Sequence, residues 1–151
     1  MSALQDAVAA AFAAAGPLAQ AELRYRERAP QLELAAAVAA AIDAQEVLVA
    51  EAGTGVGKTY AYLVPALLSG RRVLVSTATK SLQDQLFLRD LPRLRDALRL
   101  PVTLALLKGR GSYLCLQRLA LARCATTLPD RGAVRTLARV EQWARQTTGG
   151  D

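Results

Sequence analysis

The sequence predicts an α/β fold in which a parallel sheet is flanked by helices. Two observations lead to this prediction. Short runs rich in Val and Leu alternate with helical segments of about 10–15 residues, which is typical of repeated strand–helix–strand units. In addition, the run EVLVAEAG at 46–53 leads directly into a glycine-rich loop and then a helix, as in phosphate-binding α/β proteins.

The segments before this loop are predicted to be helices. Residues 2–15 are rich in alanine and end before a Gly-Pro pair, and a polar linker leads to a second helix that begins near Pro30. Leu34, Val38 and Ile42, with two alanines between them, recur at helical spacing. One face of this second helix is therefore expected to pack inward.

Strands and helices alternate through the remaining chain. The predicted strands are residues 46–53, 71–79 and 101–111, and the predicted helices are 57–70, 80–98, 112–125 and 131–146. Pro65 is expected to bend the first of these helices, because a proline ring removes one helical hydrogen bond. At 151 residues the chain is long enough for one domain with a sizeable core.

The charge of the chain favours polyanionic partners. Its formal net charge is +6, and 16 of the 19 basic residues are Arg, so the three lysines at 58, 80 and 108 stand out, each within a motif. The chain has no His and two Cys without a CxxC pair, which excludes a self-contained zinc site and a His-activated nucleophile. It carries no membrane-spanning run and no secretion signal, so we expect a cytoplasmic protein.

The strongest motif is the phosphate-binding loop. Its pattern is completed by seven consecutive residues: Gly53, Thr54, Gly55, Val56, Gly57, Lys58 and Thr59. The glycines allow backbone N–H groups to turn towards phosphates, and the N-terminus of the following helix adds its partial positive charge. Lys58 is predicted to reach the β- and γ-phosphates and Thr59 to bind Mg²⁺ through its hydroxyl, which makes them the candidate catalytic residues.

A second candidate group lies upstream of the loop. The stretch YRERAPQ contains Tyr25, Arg28 and Gln31 at the start of a predicted helix. A Gln amide can pair with the edge of adenine, and a Tyr ring can stack on a base. Alone, this stretch would be a capping segment with an ordinary Gln. Because it precedes a phosphate-binding loop, we interpret it as an adenine-sensing segment.

Hydroxyl and basic residues follow the second and third predicted strands. Ligands of parallel sheets bind at the carboxyl ends of the strands, and hydroxyls and cations there are typical contacts to a nucleic-acid backbone. A basic loop beside an aromatic ring suits single-stranded nucleic acid. The alternatives are a Ser/Thr helix cap at the first site and a plain surface turn at the second. The candidates are Ser76, Thr77, Thr79 and Lys80 at the first site and Lys108, Arg110 and Tyr113 at the second.

The chain resembles the start of a superfamily-two DNA helicase of the DinG/XPD-like group, which includes the bacterial YoaA-type proteins. Four segments carry the resemblance, in the order YRERAPQ, EAGTGVGKTYAYLVPALL, VSTATKSLQDQLFLRDLP and LLKGRGSYLCLQRL. They cover about residues 23–120. The group comprises ATP-dependent, iron–sulfur, 5′-to-3′ helicases of DNA repair and replication. The resemblance implies a partial RecA-like domain that takes ATP, Mg²⁺ and single-stranded DNA.

The resemblance also assigns roles and domain boundaries. It implies adenine sensing by Arg28 and Gln31, triphosphate and Mg²⁺ binding by the loop, DNA-backbone contact by residues 76–80, and one ligand of a 4Fe–4S cluster at Cys115. The implied organisation is an N-terminal helix and linker at 1–22, the first part of the ATP-binding domain at 23–112, and the start of a helical iron–sulfur insertion at 113–151.

The sequence departs from these helicases in several features. Without His there is no DEAH box, and no Asp-Glu dipeptide occurs. Asp43 follows an apolar run but falls on a predicted helix, so we interpret it as a helix-end carboxylate. The second RecA-like domain with its arginine finger and three of the four cluster cysteines are also absent. We therefore expect the sequence to be a piece of a longer protein.

The two cysteines are predicted to lie on opposite faces of one helix. The nine steps along the chain from Cys115 to Cys124 correspond to two and a half helical turns. The two side chains are therefore expected on opposite faces, about 13 Å apart along the helix axis. This exceeds the reach of a disulfide and prevents both thiols from binding one compact cluster. The motif context selects Cys115 as the ligand and leaves Cys124 as an ordinary small apolar residue.

Two other functions remain open at this point. One is an enzyme of another P-loop class, such as a small kinase or a transporter ATPase, which is disfavoured because no transporter-type signature follows and the next strand ends in STATKSLQ. The other is a nucleic-acid-binding module with a vestigial ATP site. Binding measurements with Mg-ATP and with single-stranded DNA separate all three.

Overall fold

A computed structural model describes residues 2–23, 25–124 and 130–151, and the regular secondary structure within them is helical. They divide into two compact units, Met1–Ala105 and Leu106–Asp151. One turn of π-helix, the π-turn, lies at Leu86–Asp90 in the first unit, and a short 3₁₀ turn lies at Arg110–Ser112 in the second. The first unit contains α1 (Ala3–Phe12), α2 (Pro17–Ala21), α3 (Ala29–Ala44), α4 (Lys58–Leu68), α5 (Lys80–Gln85) and α6 (Leu91–Leu98), and the second contains α7 (Leu116–Cys124) and α8 (Arg131–Ala144).

The first helix is closed at its start by a capping box. The Gln5 backbone N–H donates to the Ser2 hydroxyl at 3.2 Å, and the Ser2 backbone N–H donates to the Gln5 side chain at 2.8 Å. The Ser2 hydroxyl in turn donates to Asp43, near the end of α3. Asp43 is therefore the helix-end carboxylate that the sequence predicted, and it connects α1 to α3.

The core of the first unit forms where α3 meets α4. Ala35 and Ala39 on α3 and Ala61 on α4 are completely buried, and Leu63 and Val64 are buried beside them. Small side chains at the contact allow the two helices to approach closely, whereas the larger apolar residues of α3 stay half-buried at its sides. The inward-packing face of α3 is confirmed, but its alanines and not its branched residues form the centre.

The helices after the loop have the predicted limits within a few residues. The segment α4 continues through Pro65, which is fully buried. The helix predicted over 80–98 is observed over that range but contains the π-turn, which the sequence analysis did not predict. Asp90, at the end of the turn, is buried, and its carboxylate accepts hydrogen bonds from Gln85 Nε2 at 2.8 Å and Arg89 Nε at 2.9 Å.

The predicted parallel sheet is not observed, because the described residues contain no β-strand. The segments 46–53 and 71–79 have no regular secondary structure, and the segment 101–111 has none before the 3₁₀ turn that begins at Arg110. Exposure alternates along the first segment, with Val47 at 93%, Leu48 at 43% and Val49 at 92%, as a strand-like backbone would give. A strand also needs backbone hydrogen bonds from a neighbouring strand. Nothing in the described ranges supplies them to these segments.

The second unit contains the 3₁₀ turn and two helices, α7 and α8. The helix predicted over 112–125 begins at Leu116, because the residues before it form the 3₁₀ turn, and residue 125 lies outside the described residues. Asp130 caps α8 by accepting a hydrogen bond from the Ala133 backbone N–H at 2.7 Å. An ion pair between Arg123 Nε and Glu141 Oε1 at 3.0 Å connects α7 to α8.

The described helices are short. The longest of them is α3, with 16 residues. No helix in the described parts of the chain has both the length and the apolar composition that crossing a membrane requires.

Candidate nucleotide-binding site

The glycine-rich loop turns sharply into α4. Gly55 and Gly57 have φ values of 80° and 88°, in the left-handed region that favours glycine. Gly57 is the N-cap of α4 and offers no side chain to the first N–H groups of the helix. Those groups remain available to an anion, as a phosphate site requires. Along the rest of the loop, Gly53, Thr54 and Gly55 are exposed and Val56 is half-buried.

The ammonium group of Lys58 lies over the loop. Its Nζ donates hydrogen bonds to the carbonyl oxygens of Ala52 at 2.6 Å and Gly53 at 2.8 Å. The side chain is exposed, so an anion can reach it from solvent. The contact of Lys58 with phosphates, whose oxygens would replace the two carbonyls, stays a prediction.

Thr59 follows Lys58 on the first turn of α4. Burial raises the pKa of the Tyr62 hydroxyl, one turn further along the helix, and the neighbouring Thr59 side chain opposes the shift. The Thr59 side chain is half-buried, and its binding of Mg²⁺ stays a prediction.

Two of the predicted adenine-sensing residues contact the loop directly. Gln31 is buried on α3, and its Nε2 donates to the carbonyl of Gly57 at 2.9 Å. The Arg28 guanidinium donates to the carbonyl of Gly55. The structure therefore brings Arg28 and Gln31 to the two residues of the loop that have left-handed backbone conformations.

Tyr25, the third of the predicted adenine-sensing residues, makes a structural contact. Its hydroxyl donates to the carbonyl of Phe12 at 2.5 Å, at the end of α1. Burial raises the pKa of this hydroxyl, and the nearby carboxylates of Glu27 and Glu22 raise it further. The hydroxyl is thus held by α1 and the half-buried ring packs against the core, so the stacking of Tyr25 on a base stays a prediction.

The hydroxyl-rich segment before α5 forms a helix cap. The Thr79 hydroxyl accepts from the Leu82 backbone N–H at 3.2 Å, and the Thr77 hydroxyl donates to the Thr79 carbonyl at 3.3 Å. The capping alternative is therefore correct for Thr79. Ser76 and Lys80 are exposed, so their predicted contact with a nucleic-acid backbone stays a prediction.

The basic loop of the second unit is held by its own hydrogen bonds. The Lys108 backbone N–H donates to the Tyr113 hydroxyl at 3.0 Å, and Lys108 Nζ forms an ion pair with Asp151 Oδ2 at 2.5 Å. Lys108 lowers the pKa of the Asp151 carboxyl through this hydrogen bond and through its charge. Arg110 is exposed on the 3₁₀ turn. Sequence reasoning did not identify Asp151 as a partner of Lys108, because no local pattern connects the two residues.

Both cysteines are free thiols at the surface. Cys115 directly precedes α7, and its carbonyl accepts the hydrogen bond of the Leu119 N–H at 2.9 Å, whereas Cys124 is the last residue of that helix. The uninterrupted helix between them is confirmed. Cys124, predicted to be an ordinary small apolar residue and not a cluster ligand, is exposed, and the choice of Cys115 over Cys124 as the ligand stays a prediction. Within the described residues, no group of three or more His, Cys, Asp or Glu side chains is placed to hold a metal ion.

A cavity of about 900 Å³ lies elsewhere in the first unit. It is bordered by α2, α4 and α6, with Leu18, Tyr60 and Leu94 in its wall and Glu22 and Arg93 near them. None of the predicted site residues lines it. The phosphate-binding loop, whose Gly53, Thr54 and Gly55 are exposed, does not line this cavity.

Comparison with known proteins supports the interpretation of the motifs. The family described as DEAD/DEAH box helicase matches residues 33–142. The chain is 46% identical over 147 residues to the ATP-dependent DNA helicase YoaA of Haemophilus influenzae, which covers 97% of this chain and 23% of that protein. The corresponding protein of Escherichia coli is 47% identical over 141 residues, with 93% and 22% covered.

A DinG helicase is similar over nearly the same range. The ATP-dependent helicase DinG of Mycobacterium tuberculosis is 44% identical over 156 residues, with 89% of this chain and 23% of that protein covered. The resemblance to YoaA-type and DinG helicases is thereby confirmed. The chain spans less than a quarter of the length of these relatives.

The contact between Gln31 and the loop can be tested with two glycine substitutions. A Cβ at position 57 would lie 2.3 Å from Gln31 Nε2, on a backbone with φ near 88°, whereas a Cβ at position 53 meets nothing within 4 Å. Gly57→Ala is expected to lower the free energy of unfolding by about 1–3 kcal/mol because of the left-handed backbone and the clash. Gly53→Ala should change it by less than about 0.5 kcal/mol. Equal stabilities of the two variants in urea unfolding would contradict the contact.

Proposed function

This chain belongs to the DEAD/DEAH box helicase family, and we propose that it is the ATP-binding segment of the first RecA-like domain of an ATP-dependent DNA helicase. One observation carries the proposal. The Lys58 ammonium stands over a loop whose two left-handed glycines lead into the uncapped N-terminus of α4. Backbone N–H groups, a lysine and a helix N-terminus together form the environment that a nucleoside triphosphate requires.

In this proposal each residue of the loop has one role. The N–H groups at the start of α4 bind the phosphate oxygens, and Lys58 neutralises the charge of the β- and γ-phosphates. Thr59 holds Mg²⁺, which in turn bridges the phosphates. Gln31 and Arg28 recognise the adenine base. Their hydrogen bonds to the carbonyls of Gly57 and Gly55 connect this recognition to the conformation of the loop.

The segments after the loop would bind a single strand of DNA in the same protein. Ser76, Thr77 and Lys80 lie at the start of α5, and Lys108 and Arg110 belong to the basic loop of the second unit. The proposal includes 5′-to-3′ movement, a role in DNA repair and replication, a cytoplasmic location, and a parallel sheet that forms when the predicted strands find neighbouring strands. The names of the YoaA and DinG relatives support the helicase function.

The cysteines of this chain do not by themselves fit an iron–sulfur cluster. A cluster of this kind is held by four thiolates. The chain has two, and they occupy opposite ends of a nine-residue helix. We include Cys115 in the proposal as a single ligand whose partners belong to a longer protein.

The role of Lys58 in Mg-ATP binding can be measured by calorimetry. Lys58→Ala is expected to weaken binding at least about tenfold, because a hydrogen bond from a charged group contributes about 1.5–3 kcal/mol. Lys80→Ala removes the same charge outside the loop and should leave the affinity unchanged. Gln31→Ala should reduce the preference for ATP over GTP. If the unmodified chain binds ATP and GTP equally, the adenine-sensing role is wrong.

The same preparation is expected to bind ATP without turning it over. Phosphoryl transfer to water needs an acid that holds the metal and a residue that orients the water. The sequence contains neither a DEAH box nor an Asp-Glu pair. Steady phosphate release that is abolished by Lys58→Ala would contradict this expectation and favour another P-loop enzyme.

Substitutions at the two ends of the Lys108–Asp151 ion pair should change single-strand affinity in opposite directions. Lys108→Ala removes a phosphate contact and should weaken binding of an oligothymidylate. Asp151→Asn removes the competing carboxylate and should strengthen binding a few-fold. Binding by fluorescence anisotropy at several salt concentrations measures both effects, and an affinity that does not depend on salt would contradict phosphate contact.

The assignment of Cys115 can be tested in a longer native protein of which this sequence is part. Cys115→Ser should abolish the iron–sulfur absorbance, whereas Cys124→Ser should leave it intact. The chain of 151 residues should purify colourless. Loss of the absorbance with Cys124→Ser alone would overturn the assignment.

A further inference from the structure

The exposed side of α8 carries a row of arginines that ends in a tryptophan. Arg131, Arg135, Arg139 and Trp143 follow one another at intervals of four residues along Arg131–Ala144. Four residues advance a helix by about 6 Å and exceed one full turn by only about 40°. The four side chains therefore form one continuous ridge, which we name the α8 ridge.

The α8 ridge lies opposite the packed side of the helix. All four of its residues are exposed. Ala133, Leu137, Val140 and Ala144, which are half-buried, lie about half a turn away around the helix. The ion pair from Glu141 to Arg123 of α7 is also on the packed side. The ridge residues therefore take no part in the packed side of α8.

The ridge stands in the most positive part of the chain. Residues 106–151 contain eight basic and three acidic side chains, which gives a net charge of +5 out of the +6 of the whole chain. Each of the three acids is already engaged elsewhere: Asp130 caps α8, Glu141 pairs with Arg123, and Asp151 pairs with Lys108. Within the described residues, none of these three carboxylates forms an ion pair with a ridge arginine.

Such a row opposes the folding of its own helix. Like charges at intervals of four residues destabilise a helix by about 0.2–0.5 kcal/mol per pair. Neither a hydrogen bond nor an ion pair of Arg131, Arg135 or Arg139 offsets this within the described residues. A polyanion bound along the ridge would remove the repulsion.

We propose that the α8 ridge binds the backbone of a single-stranded nucleic acid, with Trp143 stacking on a base at its end. Guanidinium groups pair with phosphates through two parallel hydrogen bonds, and their regular spacing suits a ligand whose charges repeat along a chain. Trp143 is 39% exposed, which leaves part of its ring free for a base. The choice of a nucleic acid as the polyanion rests on the proposed function. The location of the binding surface does not.

An anionic membrane surface fits the ridge less well. A helix that lies in a membrane inserts its apolar side between the lipids. The apolar side of α8 is partly covered by packing, and the side that carries the arginines holds one apolar ring, that of Trp143. Vesicle binding is therefore an outcome that would count against the proposal.

The fluorescence of Trp143 tests the proposal directly, because it is the only Trp of the chain. An oligothymidylate of about 16 nucleotides, the upper site size of a single-strand module, should quench this fluorescence on binding. An abasic oligonucleotide of the same length should bind through its phosphates without the same quenching. Trp143→Leu should retain the salt dependence of binding but bind less tightly.

The arginines are tested by a triple variant and a matched control. Arg131→Gln, Arg135→Gln and Arg139→Gln together should reduce the slope of log affinity against log salt by about 2, because each phosphate contact of a single strand contributes about 0.7. The affinity at low salt should fall at least about tenfold. The control replaces Arg72, Arg93 and Arg99, three exposed arginines of the first unit, by Gln, and should bind nearly as the unmodified chain does.

The outcomes separate this proposal from the proposed function. A triple variant with unchanged affinity, salt slope and quenching overturns the α8 ridge, while ATP binding that depends on Lys58 would still stand. An equal loss in the control variant overturns it too, since the effect would then be one of net charge. Tighter binding to anionic phospholipid vesicles than to the oligonucleotide also overturns it. Circular dichroism of each variant verifies that α8 is folded.

Discussion

The close contact between α3 and α4 determines where the phosphate-binding loop can stand. Alanines at the contact let the two helices approach, and Gln31 at the start of α3 then reaches the carbonyl of Gly57. Because Gly57 is also the N-cap of α4, one hydrogen bond connects the position of α3 to the first turn of the phosphate site. A side chain at position 57 would remove the space in which the Gln31 amide lies. Position 57 therefore requires glycine for two reasons: its left-handed backbone conformation, and the lack of space for a side chain beside Gln31.

Three cationic side chains, two at the nucleotide-binding site and one in the basic loop of the second unit, already contact oxygen atoms of the protein. Carbonyls of the loop hold Lys58, a further loop carbonyl holds Arg28, and the Asp151 carboxylate holds Lys108. A phosphate ligand would thus exchange one set of oxygen partners for another. The binding free energy is the difference between these two sets, and it depends on how well the loop carbonyls find other donors after the exchange. The ridge arginines of α8 differ in this respect, since none of the three carboxylates of their unit forms an ion pair with them within the described residues.

The lack of strands follows from what a parallel strand requires. Its backbone groups must pair with neighbours that are distant in the chain, and its side chains are normally covered on both faces. Val47, Val49 and Leu74 are more than nine-tenths exposed, so neither requirement is met for these segments. The helices do not share this dependence, because their hydrogen bonds are local and their burial needs only one face.

The sequence by itself determined the features that depend on neighbours along the chain. These are most of the helices to within a few residues, the glycine-rich turn with Lys58 at its end, and the uninterrupted helix between Cys115 and Cys124. Each rests on local backbone geometry or on helical periodicity, and both can be read from residue types and their spacing. The resemblance to the helicase family could be recognised for the same reason, because its motifs are short and occur in a fixed order along the chain.

Only the tertiary structure decided which groups meet across the chain. It placed Gln31 and Arg28 on the loop carbonyls, and it turned the Tyr25 hydroxyl towards the end of α1. It also buried Asp90 in a π-turn and joined Lys108 to Asp151. These contacts join residues from different turns, helices or loops, and the relative placement of such elements is set by side-chain packing that no residue pattern records. The pairing of the predicted strands belongs to the same class, because a strand is defined by a neighbour that its own sequence does not specify.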